Sequence, residues 1–117
     1  MAQSHHSSST YHVHIYFGDE DIRLATRLRE HLATDERVTA LGRMHTGPIG
    51  PHPCRQFQVL LTAENLEDVL GWVDTHREGL SVLIHPDIDD DLAAHTTHAR
   101  WLGEPVPLML ERFQTVE

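Results

Sequence analysis

The sequence predicts an α+β domain in which a four-stranded antiparallel sheet carries two helices on one face, in the order β-α-β-β-α-β, with a C-terminal extension beyond the last strand. Three observations lead there. A strictly alternating run opens the folded part of the chain, two apolar stretches of helical period each follow a strand-like run, and 117 residues leave room for a single core.

The first strand is the clearest element. In YHVHIYF, Tyr11, Val13, Ile15 and Phe17 fall on one side and His12, His14 and Tyr16 on the other, the period of two that a half-buried strand requires. Beyond Gly18 and an acidic cluster, Ile22, Leu24, Ala25, Leu28 and Leu32 recur near the helical period. Acids at the end favoured by the helix dipole complete the pattern, which predicts a helix from about Asp21 to Ala33. Val38 to His45 reads as a second strand, weakened by Gly42. The following TGPIGPHP is loop, because its prolines each remove a backbone donor and fix φ.

Phe57 to Leu61 is the third strand, and Leu66 to His76 a helix with Asn65 as N-cap and Gly79 beyond its end. Leu80 to His85 forms the fourth strand and stops at Pro86, with Ser81, Leu83 and His85 on one face and Val82 and Ile84 underneath with the core. A short helix around Asp90 to Leu102 precedes the break at Pro105 and Pro107. This order is the ferredoxin-like one. It puts the apolar side of the first strand under the helices and leaves its histidine side on an open face.

Residues 1–10 read as a flexible N-terminal tail, which removes His5 and His6 from consideration, and 11–117 as one domain. A formal charge of −9 repels phosphate backbones and anionic membrane surfaces, so no nucleic acid and no membrane is expected as partner. The single cysteine, Cys54, cannot form an internal disulfide, and no apolar run has the length of a signal sequence or a membrane span. A reducing cytoplasm is the expected compartment.

Eleven histidines in 117 residues is several times the usual content and needs explaining. His12 and His14 stand about 7 Å apart on their strand. In the ferredoxin-like order the fourth strand lies beside the first, so His85 approaches that pair, and His52 sits in GPHP, a loop that prolines hold in few conformations. Neutral imidazoles bind Zn²⁺, Fe²⁺, Cu²⁺ and Ni²⁺, and three of them leave coordination positions open. The competing reading, solvent-exposed histidines on a polar strand face, applies to each singly; convergence from three segments on one surface favours a site.

Other residues have simpler accounts. His31 and His76 lie late in predicted helices, where a cation suits the dipole. His95 and His98, three apart, share a face if their stretch is helical, and Asp87 to Asp91 reads as a solvated turn. Cys54 is a bystander, and Trp101 packs the tail onto the sheet or walls a pocket.

With YHVHIYF, GPHP, SVLIHP and the later DDL…H…WLG in this order, the sequence resembles the DOPA 4,5-dioxygenase family from Tyr11 to about Leu108. The resemblance implies a ferredoxin-like dioxygenase domain that cleaves a catechol ring with O₂ at a non-haem metal, Fe²⁺ first, with Zn²⁺ or another divalent ion as other occupants. Carried over, it implicates His14, His52 and His85 as ligands and His12 and His95 as acid/base or substrate-binding groups. DIDDDL departs from the threonine-glycine turn expected before the acidic pair, which bears on local loop shape.

Two alternatives stand beside this: a non-catalytic module that binds a small ligand or metal, and a zinc hydrolase, which lacks a carboxylate placed to act as base. An open sheet face further suggests a homodimer.

Overall fold

A computed structural model describes residues 9–113, the side chains of Arg112 and Phe113 excepted. Strand β1 (Thr10–Tyr16) leads through a 3₁₀ turn (Asp19–Asp21) into α1 (Ile22–Ala33). Then come β2 (Ala40–Leu41), β3 (Gln56–Thr62), α2 (Ala63–His76), β4 (Val82–Pro86), α3 (Asp91–His95), β5 (Arg100–Leu102) and a last 3₁₀ turn (Leu110–Phe113). The strands form one antiparallel sheet in the order β2-β3-β1-β4-β5.

Strand parity builds the core. Val13, Ile15 and Phe17 from the first strand, Phe57, Val59 and Leu61 from β3, and Val82 and Ile84 from β4 pack in one cluster with Ala25, Leu28 and Leu32 of α1 and Leu66, Val69, Leu70 and Val73 of α2. Each large side chain buried there contributes roughly 1.5–3 kcal/mol. The same alternation sends His12, His14, Tyr16, Gln56, Gln58, Leu83, His85 and Trp101 to the opposite face. Register aligns them: His12 pairs His85, while His14 lies between Gln58 and Leu83.

The sheet has five strands, not four. The fifth comes from the stretch expected to be one helix over 90–102, which instead ends at His95, turns, and adds Arg100–Leu102 to the edge of β4. Arg100, Trp101 and Leu102 satisfy the otherwise unpaired edge of β4, and Trp101 gains a flat sheet neighbour in Leu83. The second strand is shorter than predicted, yet Thr39, Gly42 and His45 still donate backbone hydrogen bonds to β3, so the segment tracks that strand at intervals. Helix α2 starts at Ala63 after Thr62, not after Asn65, whose amide donates to the Arg37 carbonyl instead. Thr10 belongs to β1 and the Ser9 carbonyl accepts from Ala63, so the folded chain begins earlier than expected; His5 and His6 lie outside the described residues.

The face expected to be open is covered. The loop around residues 45–53 and helix α3 fold over it, and His14, His52, His85 and His95 are all buried. Among the described residues no helix is long and apolar enough to cross a membrane.

Candidate metal centre

Five histidines from four segments meet on this covered face. His12 and His14 come from β1, His85 from β4, His95 from the end of α3, and His52 from a turn closed by paired backbone bonds between Ile49 and His52. Gly50 takes φ 55° in that turn, a conformation L side chains rarely adopt. Together they line a cavity of about 310 Å³ with His45, Gln56, Gln58 and Asp91.

Four of the five rings are held at Nδ1 by an oxygen. His14 Nδ1 lies 2.9 Å from Gln56 Oε1, His85 Nδ1 3.0 Å from the Pro86 carbonyl, His95 Nδ1 2.7 Å from the Asp91 carbonyl, and His52 Nδ1 2.6 Å from the Tyr16 hydroxyl. Carbonyl and amide oxygens only accept, so His14, His85 and His95 carry their proton on Nδ1 and keep the Nε2 lone pair. Tyr16 can donate or accept; as acceptor it gives His52 the same tautomer.

The Nε2 atoms of His14 and His85 then face each other at 3.0 Å with no proton between them. A cation shared between two lone pairs at that distance would satisfy both. Nitrogens each about 2.0–2.1 Å from one ion lie roughly 2.9–3.4 Å apart, so the observed spacing suits two ligands on one metal. Two compact triads of donors share His14: His12, His14 and His85, and His14, His52 and His95.

The electrostatics favour a metal over a proton as that cation. Burial, followed by the neighbouring imidazole charges, holds His14 well below the usual histidine range. Burial first, and neighbouring histidines next, bring His52 to about 4; burial also brings His85 to about 4 and lowers His95. Neutral imidazoles keep their lone pairs for a metal near neutral pH. The Tyr16 phenol, pushed up by burial, stays protonated and neutral.

His12 differs from the others. It is half-buried at the rim, its ring stacks on His85 at 5.0 Å, and its Nε2 lies 3.6 Å from Asp87 Oδ1. Thus all five sequence-predicted site residues, His12, His14, His52, His85 and His95, come together, and Asp87 of the acidic turn stands beside them. His31 and His76 pack on Trp72 on the outer side of the helices, and His98 is exposed.

Two partners were not read from the sequence. Tyr16 shares the histidine face by simple alternation, and Gln56 shares parity with Gln58 opposite Phe57, Val59 and Leu61, so both were legible as site-facing. What alternation cannot give is the diagonal reach of Gln56 to His14. Cys54, with its thiol pushed up by burial, stays outside this cavity.

Comparison with known proteins places this arrangement. The sequence profile described as "Dopa 4,5-dioxygenase family" matches residues 11–112. A DOPA 4,5-dioxygenase of Amanita muscaria is 31% identical over 108 residues, 86% of this chain and 47% of that protein. An uncharacterized 21.2 kDa protein of Botryotinia fuckeliana is 33% identical over 111 residues, 86% of this chain and 61% of that one. The chain therefore spans only about half of these curated relatives. A crystallised protein of Nostoc punctiforme, provisionally described as a dioxygenase, superposes with a TM-score of 0.90 at 32% identity over 100% of both chains.

Proposed function

The chain belongs to the DOPA 4,5-dioxygenase family, and from that premise we propose that it is a non-haem, metal-dependent extradiol dioxygenase that opens the ring of DOPA or a related catechol with O₂. The observation that carries this reading is the 3.0 Å approach of the His14 and His85 Nε2 atoms, each with its other nitrogen turned to an oxygen. We also read β2-β3-β1-β4 with the two long helices as a ferredoxin-like unit to which β5 is appended.

The donor set fits Fe²⁺: neutral imidazoles, buried, with outer hydrogen bonds that fix the tautomers of His14 and His85 and hold His52 against the Tyr16 hydroxyl. We assign His14, common to both triads, as the central ligand, with His85 from one triad and His52 from the other beside it. A metal of this kind, when bound, supplies open positions at which a catecholate and O₂ meet. Both oxygen atoms enter the product, so the reaction needs no external reductant.

The chain's own residues supply the rest. Burial of the ligand rings limits water at the reacting centre. His12 at the rim takes a catechol proton on Nε2, and Asp87, 3.6 Å away, stabilises the imidazolium that forms. His95, lining the cavity between α3 and the ligand rings, is the second acid/base group. A cytoplasmic homodimer belongs to the proposal as well, although covering of the sheet face removes the original reason for self-association.

The test is anaerobic reconstitution with Fe²⁺ followed by oxygen uptake over a catechol panel that includes DOPA. The expected result is stoichiometric O₂ consumption and a yellow ring-opened product, lost in His14→Ala. Tight metal binding without turnover of any catechol would favour the metal-binding module instead.

A further inference from the structure

A second hollow of about 300 Å³ adjoins the histidine cavity, and His95 lines both. Its other walls are Thr96, Ala99, Trp101, Pro105, Val106, Leu108 and Leu110, all apolar but Thr96. The outer wall is tied down at two points: the Ser81 hydroxyl donates to the Glu104 carbonyl at 2.6 Å, and Met109 N–H donates to the Pro51 carbonyl at 2.8 Å. That second bond fastens the C-terminal segment bordering the hollow to the loop that presents His52 and borders the histidine cavity. Trp101 stacks on Tyr16 at 6.0 Å, which ties its ring to the hydroxyl that holds His52.

Charge is what this hollow lacks. Among the described residues lining it there is no Arg, Lys, Asp or Glu. Arg100, next to Trp101, leaves on the helix side of the sheet and pairs with Glu67 at 2.6 and 3.1 Å. Among the described residues the histidine cavity is lined by no Arg or Lys either, and by one acidic residue, Asp91. A carboxylate carried on a catechol would lose its hydration here and find no Arg or Lys among the described lining residues in return.

Resting on the catechol reading above, we propose that this hollow receives the ring substituent of the substrate and selects uncharged, apolar substituents over the charged side chain of an amino acid. A catechol bound with its hydroxyls toward His14 extends its substituent past His95 and against Trp101. The substrate class is then a 4-alkylcatechol or a similarly apolar catechol, with DOPA a poor member.

The experiment compares 4-propylcatechol with 3-(3,4-dihydroxyphenyl)propionate, alike in length but for the carboxylate, together with 4-methyl- and 4-ethylcatechol and DOPA. Binding is measured by calorimetry to protein loaded with redox-inert Zn²⁺, and kcat/KM by oxygen uptake of the Fe²⁺ form. Affinity is expected to rise about fourfold per added methylene, and to favour 4-propylcatechol over the propionate by tenfold or more. Leu108→Arg should shift that ratio at least tenfold toward the propionate, and Trp101→Ala should flatten the alkyl series.

Equal affinity for the two propyl-length ligands, or a ratio untouched by Leu108→Arg, overturns the subsite. Preferential binding of 4-propylcatechol without any oxygen uptake supports the subsite while removing the dioxygenase reading. Uptake with every catechol alike does the reverse.

Discussion

The Nε2 atoms of His14 and His85 stand 3.0 Å apart, while the Nδ1 of the first is held by Gln56 and that of the second by its neighbour's carbonyl. Strand register explains the pairing: His85 lies opposite His12, two residues along from His14, and its side chain crosses diagonally to meet His14. In these tautomers the two lone pairs face each other, a contact that a metal would complete.

His14→Ala and His85→Ala should each lower affinity for Fe²⁺ or Zn²⁺ by at least a hundredfold in chelator competition, because each removes a ligand. His52→Ala should do the same. His95→Ala should cost turnover while leaving metal affinity within about threefold. A hundredfold loss of affinity in His95→Ala, with His52→Ala near wild type, would exchange the roles of those two residues.

Gln56 fixes the tautomer of a buried ligand, and partners of this kind are worth roughly 10–100-fold in metal affinity. Gln56→Leu removes the acceptor for His14 Nδ1–H and should weaken metal binding by that amount, with ¹⁵N resonances of the His14 ring showing a mixed tautomer in the metal-free protein. Gln56→Glu keeps an acceptor and adds charge, so it should bind metal at least as tightly as wild type. Indistinguishable spectra and affinities across the three proteins would remove Gln56 from the site.

Metal-free protein should lose stability as the solution is acidified. His52 and His85 titrate near 4 when folded and near 6.5 when unfolded. Between those values the unfolded chain binds more protons, so stability is full above about pH 6.5 and declines down to about pH 4. At pH 5 the cost is about 2 kcal/mol for each histidine, and the melting temperature should fall on the order of 10 °C from its value at pH 7. Saturation with Zn²⁺ should suppress most of this slope down to the pH at which protons displace the ion. A flat melting profile of the metal-free protein from pH 7 to pH 5 would contradict it.

Gly50 offers a test of how far the turn positions His52. A Cβ there meets nothing within 4 Å, so Gly50→Ala costs only the backbone strain of φ 55°, about 1 kcal/mol. The expected outcome is a small drop in melting temperature with a larger, five- to tenfold loss of metal affinity as the turn relaxes and His52 shifts. Equal losses in both measurements would mean that the turn serves stability alone.

Alternation along YHVHIYF was enough to set His12, His14 and Tyr16 against the apolar side of the first strand, and the parity of SVLIH did the same for His85, because a strand's period of two is local. Helices α1 and α2 were legible from their apolar stripes for the same reason. The edge strand Arg100–Leu102 was not, since three residues carry little periodicity and their pairing depends on a free edge of β4. The covering of the histidine face was hidden too: loop 45–53 and helix α3 reach it through long-range contacts that no window of sequence contains.

By itself, then, the sequence determined which side chains share a face and that an unusual number of them are imidazoles. Tertiary structure alone decided which nitrogen these rings present, because that depends on an oxygen brought to each: Gln56 for His14, the Pro86 carbonyl for His85, the Asp91 carbonyl for His95. A tautomer is chosen by a partner within about 3 Å, and only the packed sheet with its loop and short helix brings those partners that close.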